Sequence, residues 1–96
     1  MVKVIGLIEL TDQAFFEQYR SQVGQTVELY KGAIKGRGTI DRLFWNELEI
    51  THFGAYVELE FPSSQEANAW ASSPEYQALV PVRSKAMKLT LFSVLA

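Results

Sequence analysis

Cysteine is absent from the chain. That removes disulfides, thiolate catalysis and thiolate metal ligation together. Histidine occurs once, as His52, so one subunit cannot assemble a multi-histidine metal site. Neither sign of charge dominates: 9 Lys and Arg stand against 11 Asp and Glu, for a net charge of −2. That balance provides no electrostatic footprint for nucleic acid. Long apolar runs are missing too, and none approaches the ~20 residues that cross a bilayer. The opening Met1-Val2-Lys3-Val4-Ile5 enters a strand pattern directly, with no signal-peptide cleavage site. The expectation is a cytoplasmic protein with no nucleic-acid or membrane partner.

Familiar catalytic and cofactor motifs are absent as well. Glycines stand at 32, 36 and 38, but they follow a helix and enter a strand, so they form no phosphate cradle. There is no Gly-x-Ser-x-Gly, and no carboxylate cluster has calcium-loop spacing. No metal and no cofactor are expected.

What is present reads as one globular domain, 1–96. Hydrophobic content is 48% and charged content 21%, values of a folded rather than a disordered chain. Val2 to Leu10 reads as a first strand that is apolar on both faces, with Val4 and Ile8 on one side and Ile5 and Leu7 on the other. Thr11-Asp12 offers a cap to a first helix whose stripe is Phe16, Tyr19, Val23, Val27 and Tyr30. Gly24 interrupts that stripe and predicts a kink or a loose turn. Gly32 is a natural C-cap. Ala33 to Trp45 reads as a second strand broken by Gly36 and Gly38, which suggests a bulge, a bend or close approach of another group. Gly54 to Phe61 is a third strand, and Ala86 to Ala96 a fourth.

Between the last two strands lies the stretch around which the chain is organised, Phe61 to Arg83. Ser63 with Glu66 has the form of a capping box. Ser73-Pro74 signals a second helical start, serine as cap and proline at the first helical position. Two helical pieces therefore abut near Ser72. The first sets Ala67, Trp70 and Ala71 on one face, and the second groups Tyr76, Leu79, Val80 and Arg83. Pro81 should kink or break the second piece after Leu79.

The run Leu59 to Ser63, then Ala67, Trp70, Ser73-Pro74-Glu75-Tyr76-Gln77-Ala78-Leu79, Pro81 and Arg83, closely resembles the DUF1330 family of small uncharacterised proteins. Asp12, Phe16 and Tyr19 extend the resemblance over nearly the whole chain. Lys31-Gly32-Ala33 stands where that family commonly has a Gly-Gly pair. The resemblance implies a ferredoxin-like fold of the dimeric α+β barrel type and no established reaction.

The element order read from the residues is β-α-β-β-α-β, an α+β pattern with a four-stranded antiparallel sheet. Strands one and three are expected in the centre, with both helices on one face. Two helices leave the other face open, yet strands one and four are apolar there, at Ile5, Leu7, Phe92 and Val94. A second copy packed sheet to sheet would cover it, so a homodimer is expected.

Candidate site residues follow from the same pattern. Tyr19, Trp70 and Tyr76 would form aromatic walls between helices and sheet, and Arg83 would anchor an anionic group. The small residues Ala67, Ala69 and Ala71 would leave space beside Trp70. Glu58 and Glu60 share a strand face, with Lys35, Arg37, Asp41 and Arg42 as expected ion-pair neighbours. His52 is the one side chain with an ordinary pKa near neutrality, but it falls in a connection outside the expected pocket. Trp45 suits a dimer contact or a lid. Three functions remain open: a binding protein for a small apolar or aromatic acid, a cofactor-independent enzyme of the monooxygenase, isomerase or lyase kind implied by the dimeric α+β barrel resemblance, or a structural dimer without a ligand.

Overall fold

The computed structural model describes residues 1–95. Ala96, the last residue of the expected fourth strand, lies outside the described residues. The elements are β1 (Val2–Leu10), α1 (Gln13–Leu29), β2 (Ala33–Thr39), β3 (Ala55–Phe61), α2 (Ser64–Ala71), α3 (Pro74–Gln77), α4 (Val80–Ala86) and β4 (Met87–Leu95). The strands form one antiparallel sheet in the order β2-β3-β1-β4. This is the ferredoxin-like arrangement expected from the sequence, with β1 and β3 central.

Register explains where the core sits. Val4 pairs with Leu59 and Ile8 with Leu89, so these side chains share the face covered by the helices. Val2, Val4, Ile8, Leu59, Phe61 and Met87 are buried there. Ile5 pairs with Phe92 and Leu7 with Thr90 on the opposite face, over which no helix packs among the described residues. Phe92 and Val94 remain 44% and 39% exposed.

The helices begin where the side chains offer acceptors. Asp12 Oδ1 accepts from the Phe15 amide at 3.0 Å, and Ser73 Oγ from the Tyr76 amide at 3.1 Å. Ser63 also caps, but its hydroxyl accepts from the Gln65 amide at 3.2 Å rather than from Glu66. It donates to the Glu66 carboxylate, which holds that carboxyl below its ordinary range. The second piece breaks at Ala78–Leu79 rather than after Leu79: α3 ends at Gln77, and Pro81 lies in the first turn of α4, where its missing amide proton would have no helical partner anyway.

Several expectations are corrected. β2 ends at Thr39, not Trp45, and residues 40–54 form a connection without regular strand. The neck of this connection is tied by the Ile40 amide to the Gly54 carbonyl at 2.9 Å. Trp45 lies on it, 80% exposed beside Phe44. Helix α1 runs unbroken through Gly24. Ala69 and Ala71 face solvent, so only Ala67 of the three small residues is buried near Trp70.

Gly32 is not the left-handed cap. Lys31 holds that conformation at φ 67°, while no glycine has positive φ. The Lys31 amide donates to Glu28 O and the Gly32 amide to Val27 O, both at 3.0 Å. This is the Schellman pattern, with lysine where glycine is usual. Gly32 is required for another reason: a Cβ there would come within 2.5 Å of the Phe61 ring.

Candidate functional site

A cavity of about 330 Å³ lies between helix α1 and the sheet, lined by residues from all four strands. Its walls are mostly apolar, including Phe16, Val23, Ile34, Val57, Leu89 and Leu91. Three of the four expected site residues, Tyr19, Trp70 and Tyr76, also line it. They are buried to 9%, 2% and 3% exposure, so they present wall surface rather than free side chains.

Their packing is continuous. The Phe61 and Trp70 rings have centroids 5.5 Å apart, and Trp70 and Tyr76 4.5 Å. Tyr19 meets Tyr76 edge-on at 6.4 Å. The polar atoms of these aromatics are satisfied. Trp70 Nε1 donates to Thr26 Oγ1 at 3.0 Å, and Thr26 Oγ1 donates to the Val23 carbonyl at 2.7 Å. The Tyr19 and Tyr76 hydroxyls lie 3.0 Å apart. Burial, then the neighbouring Tyr76 hydroxyl, pushes the Tyr19 phenol well above its ordinary range, against a smaller opposite pull from Arg83.

Arg83, the fourth expected residue, is placed differently. Its Nη1 donates to Tyr76 Oη at 3.0 Å, and its guanidinium carbon sits 5.7 Å from the centroid of that ring. It is not part of the cavity lining. Arg83, seven residues after Tyr76 and on the α4 side of the break at Ala78–Leu79, braces the Tyr76 hydroxyl.

Two other arginines line the cavity where it meets solvent: Arg20 from α1 and Arg37 from β2. Arg20 lies 3.6 Å from Glu17, with both side chains about half exposed, and such a pair is weak. The sequence pattern marks Arg37 as a neighbour of Glu58 on the other face. A register shift between Ile34 and Gly36 overturns that. Glu58 instead meets Lys3 of β1 at 3.9 Å. The signal for Arg37 was present in the glycine-broken strand, which predicted a bulge but not which side chains it would turn. Thr26 carried no signal, since a threonine one position before Val27 reads as part of the polar face. The Tyr56 side chain runs along the two strand glycines: its hydroxyl lies 3.2 Å from where a Cβ at Gly36 would be, a tight approach, and its ring 3.4 Å from one at Gly38, an ordinary contact.

His52 is exposed and lies beside Leu7, Glu9 and Thr90, on the sheet face away from the helices. No group of three or more His, Cys, Asp or Glu that could hold a metal occurs among the described residues. No helix among them is long and apolar enough to cross a membrane.

The family described as Domain of unknown function (DUF1330) matches residues 3–96. The chain belongs to the DUF1330 family. No curated protein matches it. Among solved structures, this DUF1330 protein is similar to RPA0582, a protein of unknown function from Rhodopseudomonas palustris. The TM-score is 0.77 at 16% identity, over 97% of this chain and 79% of that one. It is similar to a dimeric ferredoxin-like protein of unknown function from Jannaschia sp. CCS1, with TM-score 0.68 at 10% identity over 99% and 98% of the two chains. It is also similar to SnoaB, a cofactor-independent oxygenase from Streptomyces nogalater, with TM-score 0.68 at 9% identity over 99% and 91%. These likenesses establish the ferredoxin-like fold that the DUF1330 protein shares with proteins described as dimeric.

Proposed function

We propose that this DUF1330 protein is a homodimer that binds a small apolar or aromatic acid in the cavity between α1 and the sheet. The cavity carries the reading. At about 330 Å³ it falls at the small end of ligand-site volumes, roughly 300–1,000 Å³. Its walls are mostly aliphatic and aromatic, and the charged side chains in its lining are two arginines, Arg20 and Arg37. Tyr19, Trp70 and Tyr76 supply flat surface, and Arg83 keeps Tyr76 in position by its hydrogen bond.

Binding is favoured over catalysis by what lines the cavity. Among the described residues the lining has no histidine and no carboxylate, so no group with an ordinary pKa near neutrality faces a ligand there. His52 sits on the other face of the sheet. The uncovered Ile5, Leu7, Phe92 and Val94 support the dimer, as does the shared fold of the protein from Jannaschia sp. CCS1 that is described as dimeric. A thermal-shift screen of aromatic and short-chain carboxylic acids tests the cavity. Hits that Val23→Trp abolishes support it, whereas hits that persist in that filled variant remove the cavity from the reading.

A further inference from the structure

The bulge in β2 decides which way one arginine points. Ile34 pairs with Leu59, and the next pairing is Gly36 with Glu58, so Lys35 is the extra residue. Counted without that shift, Arg37 would stand opposite Tyr56. Tyr56 pairs with Leu7 on the face away from the helices. With the shift, Arg37 stands opposite Val57, which pairs with Gly6 on the helix face. A one-residue slip exchanges the two faces of a strand, and bulges re-aim side chains in this way. Arg37 is thereby brought to the helix face, where its exposed side chain, like that of Arg20, lines the cavity at its solvent side.

We infer that Arg37, assisted by Arg20, holds the carboxylate of the ligand at this rim while its apolar body enters the cavity; the inference rests on the cavity being the binding site. Three observations carry it. Arg37 has no carboxylate within ion-pair distance among the described residues. The wall beside it is apolar, so nothing in the lining neutralises it. A guanidinium presents paired N–H donors that match a carboxylate, and a second cation at the same rim adds attraction without needing direct contact. The ligand class is narrowed accordingly: a monocarboxylate with a compact apolar or aromatic body, bound head outward. A dicarboxylate would have to bury its second charge among Val23, Val57 and Leu89, which the apolar lining opposes.

The test uses two probes of one shape, trans-cinnamate and cinnamamide, titrated by calorimetry at pH 7 into the full chain and into Arg37→Gln and Arg20→Gln. The native chain should bind cinnamate about tenfold or more tighter than cinnamamide, as a charge-assisted bond implies. Arg37→Gln should remove most of that preference and leave cinnamamide affinity unchanged, and Arg20→Gln should give a smaller loss. Equal affinity of acid and amide in the native chain, unchanged in Arg37→Gln, overturns the inference and leaves the cavity reading standing. Failure of both probes, and of the longer pair octanoate and octanamide, to bind the native chain overturns both.

Discussion

The indole N–H of Trp70 donates to the Thr26 hydroxyl at 3.0 Å, and both residues are buried. This bond joins the motif-bearing α2 to α1 directly over the core. Its value lies in the cost of losing it. A buried donor without a partner costs about 1–3 kcal/mol. Thr26→Val keeps the shape and removes the acceptor, so it should lower unfolding free energy by that amount in urea titrations. Thr26→Ser, which keeps the oxygen, should lose clearly less. Equal losses in the two variants would show that packing, not the hydrogen bond, is the source.

The turn after α1 yields a pair of opposite effects. Lys31 occupies the left-handed position of the Schellman turn, which costs a non-glycine residue about 1–2 kcal/mol. Lys31→Gly should therefore stabilise, by up to about 1 kcal/mol once the added freedom of the unfolded chain is counted. Gly32→Ala places a methyl within 2.5 Å of the Phe61 ring and should destabilise by about 1–3 kcal/mol through overpacking. Thermal midpoints that move in the same direction for both variants would contradict the assignment of the two roles.

These residues also mark how far the sequence could be read. Strand β1 and the caps at Asp12, Ser63 and Ser73 were legible because alternation and capping are local signals. The need for glycine near 32 was legible too, but not its cause, because the Phe61 ring arrives from a strand 29 residues away. The end of β2 was hidden by the apolar run Leu43-Phe44-Trp45, which mimics a strand and instead lies exposed on the connection. The face of Arg37 was hidden more deeply. Its position depends on one extra residue in β2, and pairing partners fix that, not local propensity. Tyr19, Trp70 and Tyr76 were legible as a cluster because aromatics at helical spacing must face the sheet. The grouping of Arg83 with Tyr76 was legible from their seven-residue spacing, but not that Arg83 would spend its donor on the Tyr76 hydroxyl and stay out of the cavity lining.

Tyr19 should make stability depend on alkaline pH. Burial raises its phenol above the unfolded value of 10.0. The folded chain therefore holds this proton more tightly than the unfolded chain. The contribution is complete below pH 10 and is lost as pH rises above it, by at most about 1.4 kcal/mol per pH unit for one group. Tyr19→Phe cannot ionise. The deficit of this variant relative to the native chain should be constant between pH 7 and 9 and should shrink above pH 10. A deficit that stays constant to pH 11 would mean that the phenol titrates normally.

The uncovered sheet face predicts the assembly. Ile5 and Phe92 are cross-strand partners there, next to Leu7 and Val94. Light scattering of the native chain at micromolar concentration should give twice the chain mass of 10.9 kDa. Phe92→Asp inserts an unpaired charge into the proposed interface and should shift the mass toward that of one chain. Because Phe92 packs against no helix, circular dichroism should still report a folded protein. A native chain that scatters as a monomer would remove the dimer from the proposal.

Arg83 and Arg37 should separate in their effects. Arg83 donates to Tyr76 Oη and stands outside the cavity lining, so its contribution passes through the position of Tyr76. Removing it leaves the Tyr19–Tyr76 hydroxyl pair without its charged donor, and a hydrogen bond to a charged group contributes about 1.5–3 kcal/mol. Arg83→Ala should therefore lower stability by a value near or below the bottom of that range, because the site is partly open to water. Its effect on ligands should be even-handed. A displaced Tyr76 alters a wall that cinnamate and cinnamamide touch alike, so both affinities should fall by the same factor. Arg83→Lys keeps a donor and should recover part of the loss in both stability and binding. The contrasting pattern is a selective fall in cinnamate affinity with cinnamamide untouched, which is expected for Arg37→Gln. Found instead for Arg83→Ala, that pattern would move the anion site from β2 to α4.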